Sequence, residues 1–134
     1  MNVLETAIYD ALTGESAITN LLAGTASVYN RQAPHGASYP LIIFQHQGGG
    51  DENKSPHRSR NMVYLIKGIT TTGLTDSGAI DAQVDTLLHL QSLAVSGWTN
   101  FWLARESPVR YVEQAADGNA YYHAGGLYRV RLAQ

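Results

Sequence analysis

DSGAIDAQVDTLLHLQSL, residues Asp76 to Leu93, is the stretch on which the fold turns. Ile80, Val84, Leu87 and Leu88 recur at helical spacing and form one apolar stripe. Asp81, Asp85 and His89 are expected on the opposite, solvated face. Asp76 or Ser77 supplies the cap, and acids near a helix N-terminus suit its dipole. Gly97 closes the segment. A single amphipathic helix of this length must lay its stripe on another layer, and the segments on both sides read as strands.

Working back from the helix, Thr70 opens a loop and Met62 to Ile69 is a strand. Leu41-Ile42-Ile43-Phe44 is a continuous β-branched and aromatic run, which fits a strand covered on both faces, with a buried helix turn as the alternative for so short a run. Between them Gly48 to Arg60 (GGGDENKSPHRSR) holds three glycines, a proline and no large apolar residue. It is expected to be the flexible tip of a long antiparallel hairpin, since loops of this length are functional or disordered. Arg31 to Pro40 is a loop after a short strand at Val28-Tyr29. Leu4, Ile8, Ala11 and Leu12 stripe a first helix that Thr13-Gly14 stops. Ser16 caps a short second helix with Ile18, Leu21 and Leu22, ended by Gly24.

Working forward, Phe101 to Arg105 and Val109 to Gln114 read as two strands. Asp117-Gly118 is a turn, and Leu127 to Leu132 is a last strand with Tyr128, Val130 and Leu132 alternating against Arg129 and Arg131. The order predicts one α+β domain over residues 1–134. Its sheet is mainly antiparallel, with an N-terminal helix pair and one long amphipathic helix on one face. The expected core is Leu4, Ile8, Leu12, Ile42, Phe44, Val63, Leu65, Ile80, Val84, Leu87, Tyr128 and Val130.

At 134 residues the chain suits a single domain. It is 44% hydrophobic and only 15% charged, against about 25% for soluble domains, which leaves more neutral surface for partners. A net charge of -2 argues against a general nucleic-acid binder. Without cysteines there are no disulfides or thiolate metal sites. The N-terminus lacks signal-peptide character, and no run approaches the roughly 18 apolar residues of a membrane span. The charges are segregated. The helical regions carry acids only (Glu5, Asp10, Glu15, Asp76, Asp81, Asp85), while all nine basic residues lie in strands and loops. Lys54, Arg58 and Arg60 on the hairpin, with Arg129 and Arg131 on the last strand, are the candidate assembly contacts.

No catalytic, cofactor or metal residues emerge. There is no G-x-S-x-G elbow, Walker loop or H-E-x-x-H pair. Gly48-Gly49-Gly50 runs into Asp51 and Glu52, which would repel a phosphate, and Pro56 blocks a helix there. Asp85 and His89 share a helix face but have no third ligand at a readable spacing. His35, His46, His57 and His123 are scattered, with no acid partner that the sequence fixes. Trp98 and Trp102 suit a core or an interface better than a ligand cage.

Over nearly its whole length the chain resembles the small tail-completion proteins of tailed phages, relatives of the tail terminators. The resemblance rests on the helix pair Leu4 to Leu22, the Val28-Tyr29 strand, and the Ala33-Pro34-His35-Gly36 loop running through Tyr39-Pro40 into Leu41 to Phe44. It continues through Met62 to Ile69, a Thr- and Gly-rich loop, the amphipathic helix, and Gly126-Leu127-Tyr128-Arg129-Val130. It implies a non-enzymatic virion protein, assembled in the host cytoplasm, that forms a ring of six copies at the head-proximal end of the tail tube. There it would end tube growth and offer the docking surface for the head connector, with genome DNA passing through unbound. Its partners would be itself, the tube protein and the connector or stopper. A stopper role in the same connector is the neighbouring alternative. A small metabolite-binding or enzymatic α+β domain is the alternative from another class.

Overall fold

The computed structural model describes all 134 residues. Helices α1 (Asn2–Thr13) and α2 (Ser16–Thr19) are followed by strands β1 (Val28–Asn30), β2 (Leu41–Glu52) and β3 (Ser59–Thr70). Helix α3 (Leu74–Leu88) then leads to β4 (Thr99–Gln114) and β5 (Ala120–Ala133). The sheet order is β1-β2-β3-β5-β4, and only the β1–β2 pair is parallel. The α+β expectation holds.

The helices cover one face. Ser77, Ile80, Val84 and Leu88 of α3, with Leu4, Ala7, Ile8 and Leu12 of α1, are buried. Apart from Ser77, they share a core cluster with Ile42, Phe44, Met62, Tyr64, Ile66, Leu103, Tyr128, Val130 and Leu132. Close approach of α3 to β3 depends on Gly68, where a Cβ would lie 2.8 Å from Ile80 Cγ2. The other face is covered near its start by the 31–40 loop, under which Leu41, Ile43 and Ile69 form a smaller cluster with Tyr39 and Tyr121. This is why the Leu41 run shows no alternation.

The same double covering corrects part of the core. On β3, Met62, Tyr64 and Ile66 face the helices, whereas Val63 is half-buried and Leu65, although buried, points to the opposite face. A strand apolar on both faces carries no phase in its pattern. Leu87 is half-buried at the core margin.

Several boundaries also move; β5, for one, begins at Ala120 and not at Leu127. Helix α3 starts at Leu74 with Gly73 as its cap, not at Asp76, and Ser77 is buried, its hydroxyl donating to Gly73 O and Leu74 O. It ends at Leu88, because residues 90–93 turn to bond β4: Leu90 N donates to Leu103 O at 2.7 Å and Leu93 N to Asn100 Oδ1 at 2.8 Å. In α2 the cap is Glu15, whose carboxylate accepts from Ala17 N, and not Ser16. Beyond α3, the two strands expected between Phe101 and Gln114 are one, because bulges between Asn100 and Trp102 and between Arg105 and Ser107 absorb the break in pattern. Pro108 sits on this edge strand, where a missing N–H costs no ladder bond.

The hairpin is paired further than its composition suggests. The β2–β3 ladder continues through Gly48↔Val63 to Glu52↔Ser59, leaving residues 53–58 as the connecting loop. Gly49 is required there, with φ at 83° and no room for a Cβ beside Asn61 O.

Candidate assembly surface

Strand register gathers the five candidate basic residues at one end of the molecule. Ser59 and Thr99 both pair with Ala133, so the β2–β3 turn, the start of β4 and the end of β5 lie together. Lys54 and Arg58 stand on the loop, and Arg60 opens β3 on the helix side, 5.3 Å from the centroid of the Trp98 ring. Arg129 and Arg131 project from the opposite face of β5.

Most of these cations already have acids within the chain. Glu52 is the hub, taking Lys54 Nζ at 3.0 Å and Arg131 at 3.4 Å while accepting from Ser59 Oγ and Asn61 Nδ2. The Lys54 hydrogen bond, helped by those from Ser59 and Asn61, overcomes partial desolvation and lowers the Glu52 pKa to about 2. Arg60 pairs with Asp51 at 3.0 Å, and Arg129 with Glu106 at 2.8 Å and Asn61 Oδ1 at 2.7 Å. Arg58 makes no ion pair. Beside this group Phe101 and Trp102 are 48% and 46% exposed, with the Arg131 guanidinium 5.1 Å from the Phe101 ring centroid. Trp98 is half-buried against the core and Trp102 is not.

A second feature lies on the sheet face away from the helices. A cavity of 590 Å³ under the 31–40 loop is lined by Lys67, Glu113, Tyr121 and His123 among others. His123 is buried, its Nε2 2.9 Å from Glu113 Oε1, and its ring stacks on Tyr111 at 4.3 Å. Lys67 Nζ donates to the Tyr111 hydroxyl at 2.7 Å. Burial lowers the His123 pKa, with Lys67 adding to the effect and Glu113 opposing it. The scattered histidines thus include one with an acid partner. The signal was the Asp117-Gly118 turn: a hairpin folded there puts Tyr111 opposite His123 and Glu113 opposite Tyr121.

The acids of α3 need the largest correction. Asp81 does not face solvent; it takes both arms of Arg105, Nη1 at 2.5 Å and Nη2 at 2.9 Å, and both side chains are under one-fifth exposed. Arg105 also donates to Gly125 O, crossing over Gly126, where a Cβ would sit 2.9 Å from its Nε. Asp85 is half-buried, with Oδ1 sealed and unpaired. The nearby Tyr128 hydroxyl is likewise buried without a partner, and burial pushes it up to about 12 against the pull of Arg105. His89 is exposed, as expected, and its Nδ1 accepts from Arg105 N at 3.0 Å. No group of three His, Asp or Glu side chains converges to hold a metal ion.

The geometry therefore offers ion-paired, aromatic surface and a helix clamp. Residues 6–132 match the family described as tail completion protein gp17. The chain belongs to that family. As a tail completion protein it has a structural, not an enzymatic, role in the phage tail. Among solved structures, a chain of the virion of a native gene transfer agent particle is similar in fold. The TM-score is 0.79 at 18% identity, covering 98% of this chain and 95% of that one. No curated protein sequence matches.

Proposed function

We propose that this tail completion protein closes the head-proximal end of the tail tube as a homo-oligomeric ring of six copies. It ends tube polymerisation and presents the surface on which the head connector docks, while genome DNA passes through the opening without specific binding. The observation that carries this reading is the family match over residues 6–132, joined to a basic and aromatic end of the sheet. In the ring, Lys54, Arg58, Arg60, Arg129 and Arg131 serve as assembly contacts. Most are held by internal acids, so they act by steering and register, each contributing about 0.2–1 kcal/mol when exposed.

The combined Lys54→Ala, Arg58→Ala and Arg60→Ala variant tests the reading by electron microscopy of particles. Overlong tails or unjoined heads are expected. Tails of normal length joined to heads would reject the assembly role for these residues. Correctly ended tails that lack heads would move the protein's surface from tube termination to connector docking.

A further inference from the structure

The exposed large apolar side chains are not scattered. Val3 and Leu21 lie in the α1–α2 region, while Leu90, Phe101, Trp102, Tyr111 and Val112 lie on or against β4. None is on β2, β3 or β5. Because α1 packs on β1, and β1 and β4 are the two edges of the sheet, these groups mark opposite sides of the molecule.

The two sides differ in charge. Residues 1–30 contain Glu5, Asp10 and Glu15 and not one Lys, Arg or His. On α1, Val3, Thr6 and Asp10 are exposed and share one face at intervals of three and four. At the opposite side a hollow of 250 Å³ is walled by Phe101 and rimmed by Lys54, His57 and Arg58. It is large enough for an aliphatic side chain, with cations beside it for an acid. Aromatic and arginine groups at a patch centre are those that dominate interface energetics.

We infer that the Phe101–Trp102 end of one copy receives the Val3–Asp10 face of α1 from the next copy, in a head-to-tail contact. Two different patches on opposite sides of one chain make a heterologous interface, which propagates and closes into a ring when the rotation per copy allows. Like-with-like pairing would set the unpaired Arg58 against its own copy at one end and Asp10 against Asp10 at the other. This inference rests on the ring reading and assigns its subunit boundary.

Two variants test it, Phe101→Ser with Trp102→Ser, and Val3→Ser with Asp10→Lys. All four positions are exposed, so both proteins should keep the circular dichroism of the wild type. Each alone should be monomeric by light scattering at a concentration where wild type forms higher oligomers. Mixed one to one, they should give a 1:1 dimer that grows no further, since each supplies the patch the other lacks. A mixture that stays monomeric overturns the pairing. So does an aromatic variant that oligomerises normally, and if that variant also fails to cap tubes, the patch belongs to the tube protein. A wild type that remains monomeric both alone and on tail tubes would instead sink the ring reading itself.

Discussion

At the residue scale, the Asp81–Arg105 pair ties α3 to the β4–β5 hairpin, with both groups mostly withdrawn from water. Asp81→Ala leaves a guanidinium in that site without its carboxylate, and we expect a loss of about 2–3 kcal/mol by urea denaturation. Asp85→Ala, one turn along, should be close to neutral because its sealed oxygen has no partner to lose. Equal effects would mean that Asp81 is not the clamp. His123 supplies a pH dependence of definite sign. Its folded pKa lies below 6.5, so the unfolded chain binds the proton more readily. Stability contributed by the neutral ring is full at higher pH and falls as pH drops below 6.5, until the folded pKa is passed. His123→Gln should therefore flatten the decline in urea midpoint between pH 7 and 5. Glu52 acts through its own window: its contribution is present above 4.5 and is lost as pH falls toward about 2.

At the element scale, two neighbouring glycines on β5 answer to different constraints. A Cβ on Gly125 would lie 2.2 Å from Ile66 O, which is backbone of the paired strand and cannot yield. A Cβ on Gly126 meets the Arg105 side chain, which can give way only by straining its hold on Asp81. Gly125→Ala should abolish soluble expression, while Gly126→Ala should fold with a lowered melting temperature. Val84→Asp, burying an unpaired charge at a position 1% exposed on α3, should also be insoluble. The hairpin behaves as two parts. Pairing through Glu52↔Ser59 makes its stem a ladder, so limited proteolysis of the free subunit should cut within residues 53–58. Assembly is expected to protect those bonds. Cleavage at Gly48–Gly50, or equal cutting in free and assembled protein, would overturn this picture of the tip.

At the scale of the whole molecule, the charge segregation seen in the sequence survives folding, but much of it is spent inside the chain. Asp51, Glu52 and Glu106 hold Arg60, Lys54, Arg131 and Arg129, and Asp81 holds Arg105. A rim of paired charges screens readily, so self-association through the aromatic end should persist at about 0.5 M salt while its rate falls. Stopped-flow light scattering at two ionic strengths checks this. Loss of the oligomer itself at high salt would make the contact electrostatic rather than apolar.

The sequence by itself determined the elements and their class, because periodicity is a local property of the chain. The stripe of Ile80, Val84 and Leu88, the alternation of Tyr128, Val130 and Leu132, and the Asp117-Gly118 turn each follow from neighbours a few residues apart. Only the tertiary structure decided which face of β3 meets the helices, since both faces are apolar and the covering loop comes from residues 31–40. It also decided that Asp81 turns inward, because the Arg105 that receives it lies 24 positions away. The gathering of the hairpin loop, Phe101 and the end of β5 is a product of register over three long strands. No local pattern encodes register of that kind; the pairing of whole faces against one core does.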